Sequence, residues 1–157
     1  MSDFDIYQNS GYISDRDEKQ LININLDSSV TSKKYVLQEP IIIDRLSDIY
    51  LDSFISNNIT QSDSSHNILI LGVKEFNIKA VSSEPKYNNK IIIPNTNSSV
   101  ASDNTTIAHR ATKFNFIANI NPIKLTSLEI SLTDNANTPV AWGSGDFWVT
   151  FMIVPRK

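Results

Sequence analysis

The sequence predicts an all-β fold, a sandwich or barrel of short antiparallel strands, and three observations carry that expectation. Apolar residues recur with period two in short runs such as Lys19–Leu26 and Asp146–Val154. Clusters of Asn, Asp, Ser and Pro interrupt these runs at roughly even spacing. No long segment repeats its apolar residues at the 3.6-residue period of a helix.

The elements follow in order. Residues 1–18 are polar and acidic, with Asp15, Asp17 and Glu18 close together, and are expected to form an N-terminal arm. In Lys19–Leu26, Ile22, Ile24 and Leu26 share one face and Asn23 and Asn25 the other. Tyr35–Ile43 reads as two extended pieces meeting at Glu39-Pro40, because proline cannot donate to a ladder. In Arg45–Ile55, Leu46, Tyr50 and Phe54 share a face with Asp48 and Asp52, and Ile49, Leu51 and Ile55 share the other.

A polar loop is expected at Ser56–Asn67 and a strand at Ile68–Ile78, with Leu69, Leu71 and Val73 on one face. Ala80–Asn89 is a second polar stretch, Lys90–Ile93 a short strand closed by Pro94-Asn95, and Thr96–Thr106 a Ser/Asn/Thr-rich loop. Ala111–Ile120, Ile123–Leu132, a turn at Asp134–Asn137, Val140–Trp142 and Asp146–Val154 complete about eight or nine strands. Phe114 and Phe116 are expected in the core, as are Phe147, Val149, Phe151 and Ile153. Trp148 and Met152 then point outward.

Composition narrows function. The 157 residues suit one domain with a core of its own, here 19–157 behind the 1–18 arm. The chain has no cysteine, which removes disulfides and thiolate metal sites. A net charge of −3 argues against general nucleic-acid binding. The N-terminus lacks the basic and apolar regions of a signal peptide, and no apolar run is long enough for a membrane helix, so no membrane span is expected. The chain is expected to finish at the end of a sheet, with only Pro155, Arg156 and Lys157 beyond the last strand.

Catalytic constellations are not legible. His66 and His109 are the only histidines and stand far apart, in a polar loop and at a strand entrance. A metal oxygenase on a similar scaffold would need several histidines and a carboxylate together. Gly143-Ser144-Gly145 reads as a flexible turn rather than a nucleophile elbow. Asp15-Arg16-Asp17-Glu18 lacks the spaced acids and turn glycine of a calcium loop. Asp48 and Asp52 read as surface acids, and the sequons at Asn58, Asn97 and Asn104 arise readily in so Asn- and Ser-rich a chain. The expectation is a non-enzyme without cofactor or metal. Its candidate interface residues are the aromatics Phe4, Tyr7, Tyr12, Trp142 and Trp148, since such side chains are enriched at interfaces.

One run of motifs points further. Glu75-Phe76-Asn77-Ile78, then Lys90–Asn95 (KIIIPN), His109, Lys113–Phe116 (KFNF), Ile120–Thr126 (INPIKLT) and the aromatic closing strand Phe147–Val154 occur in that order. Over residues 45–157 this pattern resembles the single jelly-roll capsid proteins of large double-stranded DNA viruses, most closely the penton type found at vertices. The resemblance implies a jelly-roll β-sandwich of about eight antiparallel strands. It also implies a homopentamer partnered by major and minor capsid proteins, located in the virion at the capsid vertex and made in the host cytoplasm. The alternatives are a carbohydrate- or receptor-binding β-sandwich, with Trp142 and Tyr87 as exposed aromatics, and a minor capsid protein of the same fold.

Overall fold

The computed structural model describes residues 19–59, 68–94, 105–110, 116–140 and 146–157. Nine strands lie within them: β1 Gln20–Leu26, β2 Ser32–Ile43, β3 Ser47–Ile59, β4 Ile68–Val73, β5 Ile91–Pro94, β6 Thr105–Arg110, β7 Phe116–Ile120, β8 Ile123–Asp134 and β9 Asp146–Pro155. A 3-10 turn, Pro85–Tyr87, sits between β4 and β5.

The strands form two antiparallel sheets. Sheet A runs β1-β9-β3-β6, with β7 also beside β3, and sheet B runs β2-β8-β4-β5. β6 pairs with β3 over Ser53–Ile59 and β7 pairs with β3 over Ser47–Tyr50, so the two are halves of one interrupted strand position. Counted that way, the first strand pairs with the last, β2 with β8, β3 with β6 and β7, and β4 with β5. This is a nested hairpin rolled up so that β9 also meets β3 and β8 also meets β4. That strand order is the jelly roll.

Period-two alternation builds the core between the sheets. Ile22, Ile24 and Leu26 of β1 and Phe147, Val149, Phe151 and Ile153 of β9 face inward from sheet A. Leu69, Leu71 and Val73 of β4 and Leu125, Leu128, Ile130 and Leu132 of β8 face them from sheet B. Phe54 and Phe147 pack with ring centroids 6.1 Å apart. Phe76, in the turn after β4, meets Phe151 edge to face at 5.1 Å and plugs one side of the sandwich. Just beyond it, Asn77 N–H donates to the Asn119 carbonyl at 2.8 Å, tying the chain leaving sheet B to β7 of sheet A.

Three irregularities shift the face parity. Opposite the single residue Thr126 of β8, β2 has the four residues Leu37–Pro40, where the sequence placed its Glu39-Pro40 break. In β3, Asp52 is an extra residue between Leu51 and Ser53, which oppose consecutive residues of β9. A bulge of this kind flips the alternation. Phe54 is therefore buried with Ile49 and Leu51, while Ile55 is exposed on the side of Tyr50, the reverse of the uninterrupted alternation expected over Arg45–Ile55. In β7, Ile117 is extra between the partners of Ile49 and Tyr50. Phe116, expected in the core, is 50% exposed on the outward side of sheet A. Phe114 lies outside the described residues.

Several boundaries differ from the expected ones. β3 runs on to Ile59, into the expected Ser56–Asn67 loop, and β4 ends at Val73 in a turn rather than at Ile78. β6 takes Thr105 and Thr106 from the expected polar loop and pairs through Arg110, a strand the alternation did not announce. Val140 is buried but belongs to no strand. The Asp134–Asn137 turn forms as expected. Asn137 adopts φ 64°, a left-handed conformation asparagine tolerates, and donates its N–H to the Asp134 carbonyl at 3.1 Å.

Candidate interface on the outward face of sheet A

The same alternation that fills the core sets what sheet A shows to the outside. Register aligns Leu21 of β1 with Met152 of β9, Met152 with Tyr50 of β3, and Tyr50 with Phe116 of β7. One apolar row thus crosses four strands. Leu21 is 58% exposed, and Tyr50 and Met152 are half-buried by their neighbours. Tyr50 and Phe116 meet edge to face with centroids 6.0 Å apart, a favourable aromatic geometry.

Two residues along, about 7 Å away at strand rise, the row is polar: Asn23, Thr150 and Ser53. Thr150 Oγ1 donates to Asn23 Oδ1 at 2.8 Å. Two residues further, Asn25, Trp148 and Ile55 line up, with Trp148 45% and Ile55 40% exposed. In the other direction Asp48 stands opposite Val154 and accepts from Arg156 Nε at 2.7 Å, closing that end with an ion pair. The face is therefore two apolar stripes separated by a hydrogen-bonded polar one.

A second apolar patch lies elsewhere. On β2, the edge strand of sheet B, Val36 is 77% and Ile42 71% exposed. They stand opposite Ser127 and Lys124 of β8, whereas Ile123, 47% exposed, is opposite the inward Ile43 and so lies on the other face of the ladder. Nearby, the turn after β1 is fixed electrostatically. Asp27 accepts from the Ser29 hydroxyl, from Ser29 N–H and from Lys33 Nζ, and its carboxyl is lowered to about 2, chiefly by the Ser29 hydroxyl and next by the Lys33 ammonium. Lys33 is raised in return. The Tyr35 hydroxyl accepts from Asp27 N–H at 2.7 Å, and burial raises its pKa.

Of the five aromatics singled out from sequence, Trp148 takes its place in this face, pointing outward as β9 parity predicted. Phe4, Tyr7, Tyr12 and Trp142 lie outside the described residues, as do His66, the 1–18 arm and Gly143-Ser144-Gly145. His109 pairs with Phe54 in the β3–β6 ladder. Leu21, Tyr50 and Phe116 were not singled out. Leu21 and Tyr50 carried a signal, since each sits on the polar-face parity of its strand beside Asn23 or Asp48.

Among the described residues no group of three or more His, Cys, Asp or Glu side chains converges, and no helix is long and apolar enough to cross a membrane. No protein-family model and no curated protein matches the chain. Solved structures with partial overlap include the empty capsid of Triatoma virus, at 6% identity and TM-score 0.29 over 88% of this chain and 70% of that one. They also include nora virus, at 9% identity and TM-score 0.25 over 87% and 57%. A third is the VP2 subviral particle of infectious bursal disease virus, at 11% identity and TM-score 0.26 over 89% and 33%. The jelly-roll assignment rests on the strand order of this chain itself.

Proposed function

We propose that this chain is a structural capsid subunit of the penton type, five copies of which close a ring at the vertices of an icosahedral capsid. The observation that carries the reading is the apolar row Leu21–Met152–Tyr50–Phe116 on the outward face of sheet A. Contiguous exposed apolar side chains on a sandwich mark a surface that is covered in use.

The occupant is a second copy of the chain. A head-to-tail ring needs two different complementary patches on each subunit, whereas a two-fold dimer needs one self-complementary patch. The row on sheet A and the exposed Val36 and Ile42 on the edge strand of sheet B supply two. The polar stripe of Asn23, Thr150 and Ser53 suits the hydrogen bonds that fix register across an interface. Residues 1–18, with Phe4, Tyr7 and Tyr12, then form an arm reaching a neighbouring subunit or a minor capsid protein, and 19–157 form the jelly-roll body. Trp142 and Trp148 contribute to contacts with the surrounding capsid.

Native mass spectrometry of the purified chain tests this reading. A pentamer that dissociates when Leu21 and Phe116 are both changed to Lys supports it, and a strictly monomeric chain at high concentration defeats it.

A further inference from the structure

The outward face of sheet B holds a different kind of surface. Gly72 of β4 stands opposite Ser131 of β8, and Ile70 stands opposite Thr133. The chain between β4 and β5 returns over this face, and Lys90 at its end lays its side chain across Gly72. A Cβ on Gly72 would come within 2.4 Å of Lys90 Nζ and 2.6 Å of Ser131 Oγ, so glycine is what leaves room for the ammonium there. Lys90 Nζ donates to Ser131 Oγ at 3.0 Å. That neutral hydroxyl uses one of three ammonium donors.

Beside Lys90 opens a depression of about 330 Å³. Its floor is the buried side chain of Ile70, and its walls carry Thr31, Ser32, Thr133 and Asn137. Lys86 also lines it, held by the Asn135 carbonyl at 2.9 Å and by Glu84 at 3.2 Å. No carboxylate lines this depression. The nearest acid of the adjoining larger depression, Glu129, is already engaged by Lys74 at 2.8 Å.

We propose that this depression binds an acidic sugar residue, a hexuronic acid or similar hydroxylated carboxylate. Its carboxylate meets Lys90 on a surface that Lys86 also lines, and its hydroxyls meet Thr31, Ser32 and Asn137. The volume lies at the lower end of the range for small-ligand sites and fits one monosaccharide. The Lys90 ammonium, set against a neutral hydroxyl, selects for an anion, and Lys86 adds less because Glu84 already pairs with it. Several hydroxyls and an amide select for a polyol over a bare inorganic ion, since a site built to pair hydroxyls loses those bonds when the ligand has none. The site lies on the opposite sheet from the apolar row.

Titration of the full chain with methyl glucuronide, followed by backbone amide NMR shifts, tests the proposal. The neutral isostere methyl glucoside and inorganic sulfate are run alongside. Glucuronide is expected to bind in the millimolar range and move the amides of Ser32, Gly72, Lys90 and Ser131. It should bind about tenfold or more tightly than either control, the scale of one charge-assisted hydrogen bond. Lys90→Met and Gly72→Val should each weaken it by about tenfold, whereas Lys124→Met, at the other end of β8 and outside the depression, should not. Glucoside binding as tightly, sulfate binding as tightly, an unchanged Lys90→Met, or no saturable shift would each overturn the assignment. The comparison of the three ligands on the unaltered chain holds whether or not a variant folds.

Discussion

Tyr50 and Phe116 face each other edge to face on the outward side of sheet A, 6.0 Å between centroids and 75° between ring planes. Phe116 is brought outward by the bulge at Ile117, and Tyr50 shares its strand face with Asp48. The pair anchors the apolar row, and through it the assembly proposed for this chain. Aromatic pairs at the centre of a contact carry a disproportionate share of its energy.

Changing Leu21 or Phe116 to Lys should therefore leave the fold intact and remove assembly. Both side chains are at least half exposed, so the cost to monomer stability stays within about 0.5 kcal/mol. Circular dichroism and the melting temperature should be unchanged while the sedimentation coefficient falls to that of a monomer. A loss of secondary structure would mean that the row is needed for folding.

A mixing experiment separates a head-to-tail ring from a two-fold dimer. One variant carries Leu21→Lys and Phe116→Lys, the other Val36→Glu and Ile42→Glu, so each retains one good patch. Each alone should be monomeric. Mixed in equal amounts they should give heterodimers and nothing larger, because only one productive contact can form. An isologous contact would instead leave one of the two variants fully dimeric by itself.

Phe151 is fully buried, touches Phe76 and closes the core beside β1. Phe151→Ala should cost about 3–5 kcal/mol in urea unfolding, through lost burial plus the cavity left behind. The neighbouring outward change Met152→Ala, on a half-buried side chain, should cost much less. Equal costs would contradict the assigned facing of β9.

Asp134 is buried at the end of β8 and accepts from Ala136 N–H at 3.0 Å, Thr138 N–H at 2.9 Å and Thr138 Oγ1 at 2.6 Å. Removing the carboxylate leaves those donors unsatisfied. Asp134→Ala should destabilise by about 1.5–3 kcal/mol, and Asn should recover part of that. Denaturant midpoints of the three proteins check it.

The pH dependence at the β1–β2 turn has a definite sign. Asp27 is held at about 2, below the ordinary carboxylate value, first by the Ser29 hydroxyl and then by Lys33. A depressed folded pKa contributes stability that is present above the unfolded value of about 3.9 and is lost as pH falls toward 2. Carboxyl NMR should place the Asp27 midpoint near 2, and Ser29→Ala should raise it. A midpoint of about 3.9 in the unaltered protein would show that the turn does not form in solution.

Much of the fold was legible where strands alternate without interruption. β1 and β9 show their inward and outward sets directly, and Trp148 was placed outward on parity alone. Legibility failed at the bulges. Nothing local marks Asp52 or Ile117 as an extra residue, because the shift is set by the partner strand's register. Phe54 and Ile55 therefore lie on the faces opposite to those uninterrupted alternation predicts, and Phe116 lies outward rather than in the core. The Lys90 depression is not legible in the sequence, since it joins Ser32, Ile70 and Ser131, which only the β2-β8-β4 pairing brings together.

The most direct test of the central claim is the mass of the assembled protein in native mass spectrometry across a concentration series. The account predicts a closed pentamer that persists on dilution and is lost when Leu21 and Phe116 are changed to Lys. A chain that stays monomeric at the highest concentration, or a pentamer indifferent to those changes, would contradict it.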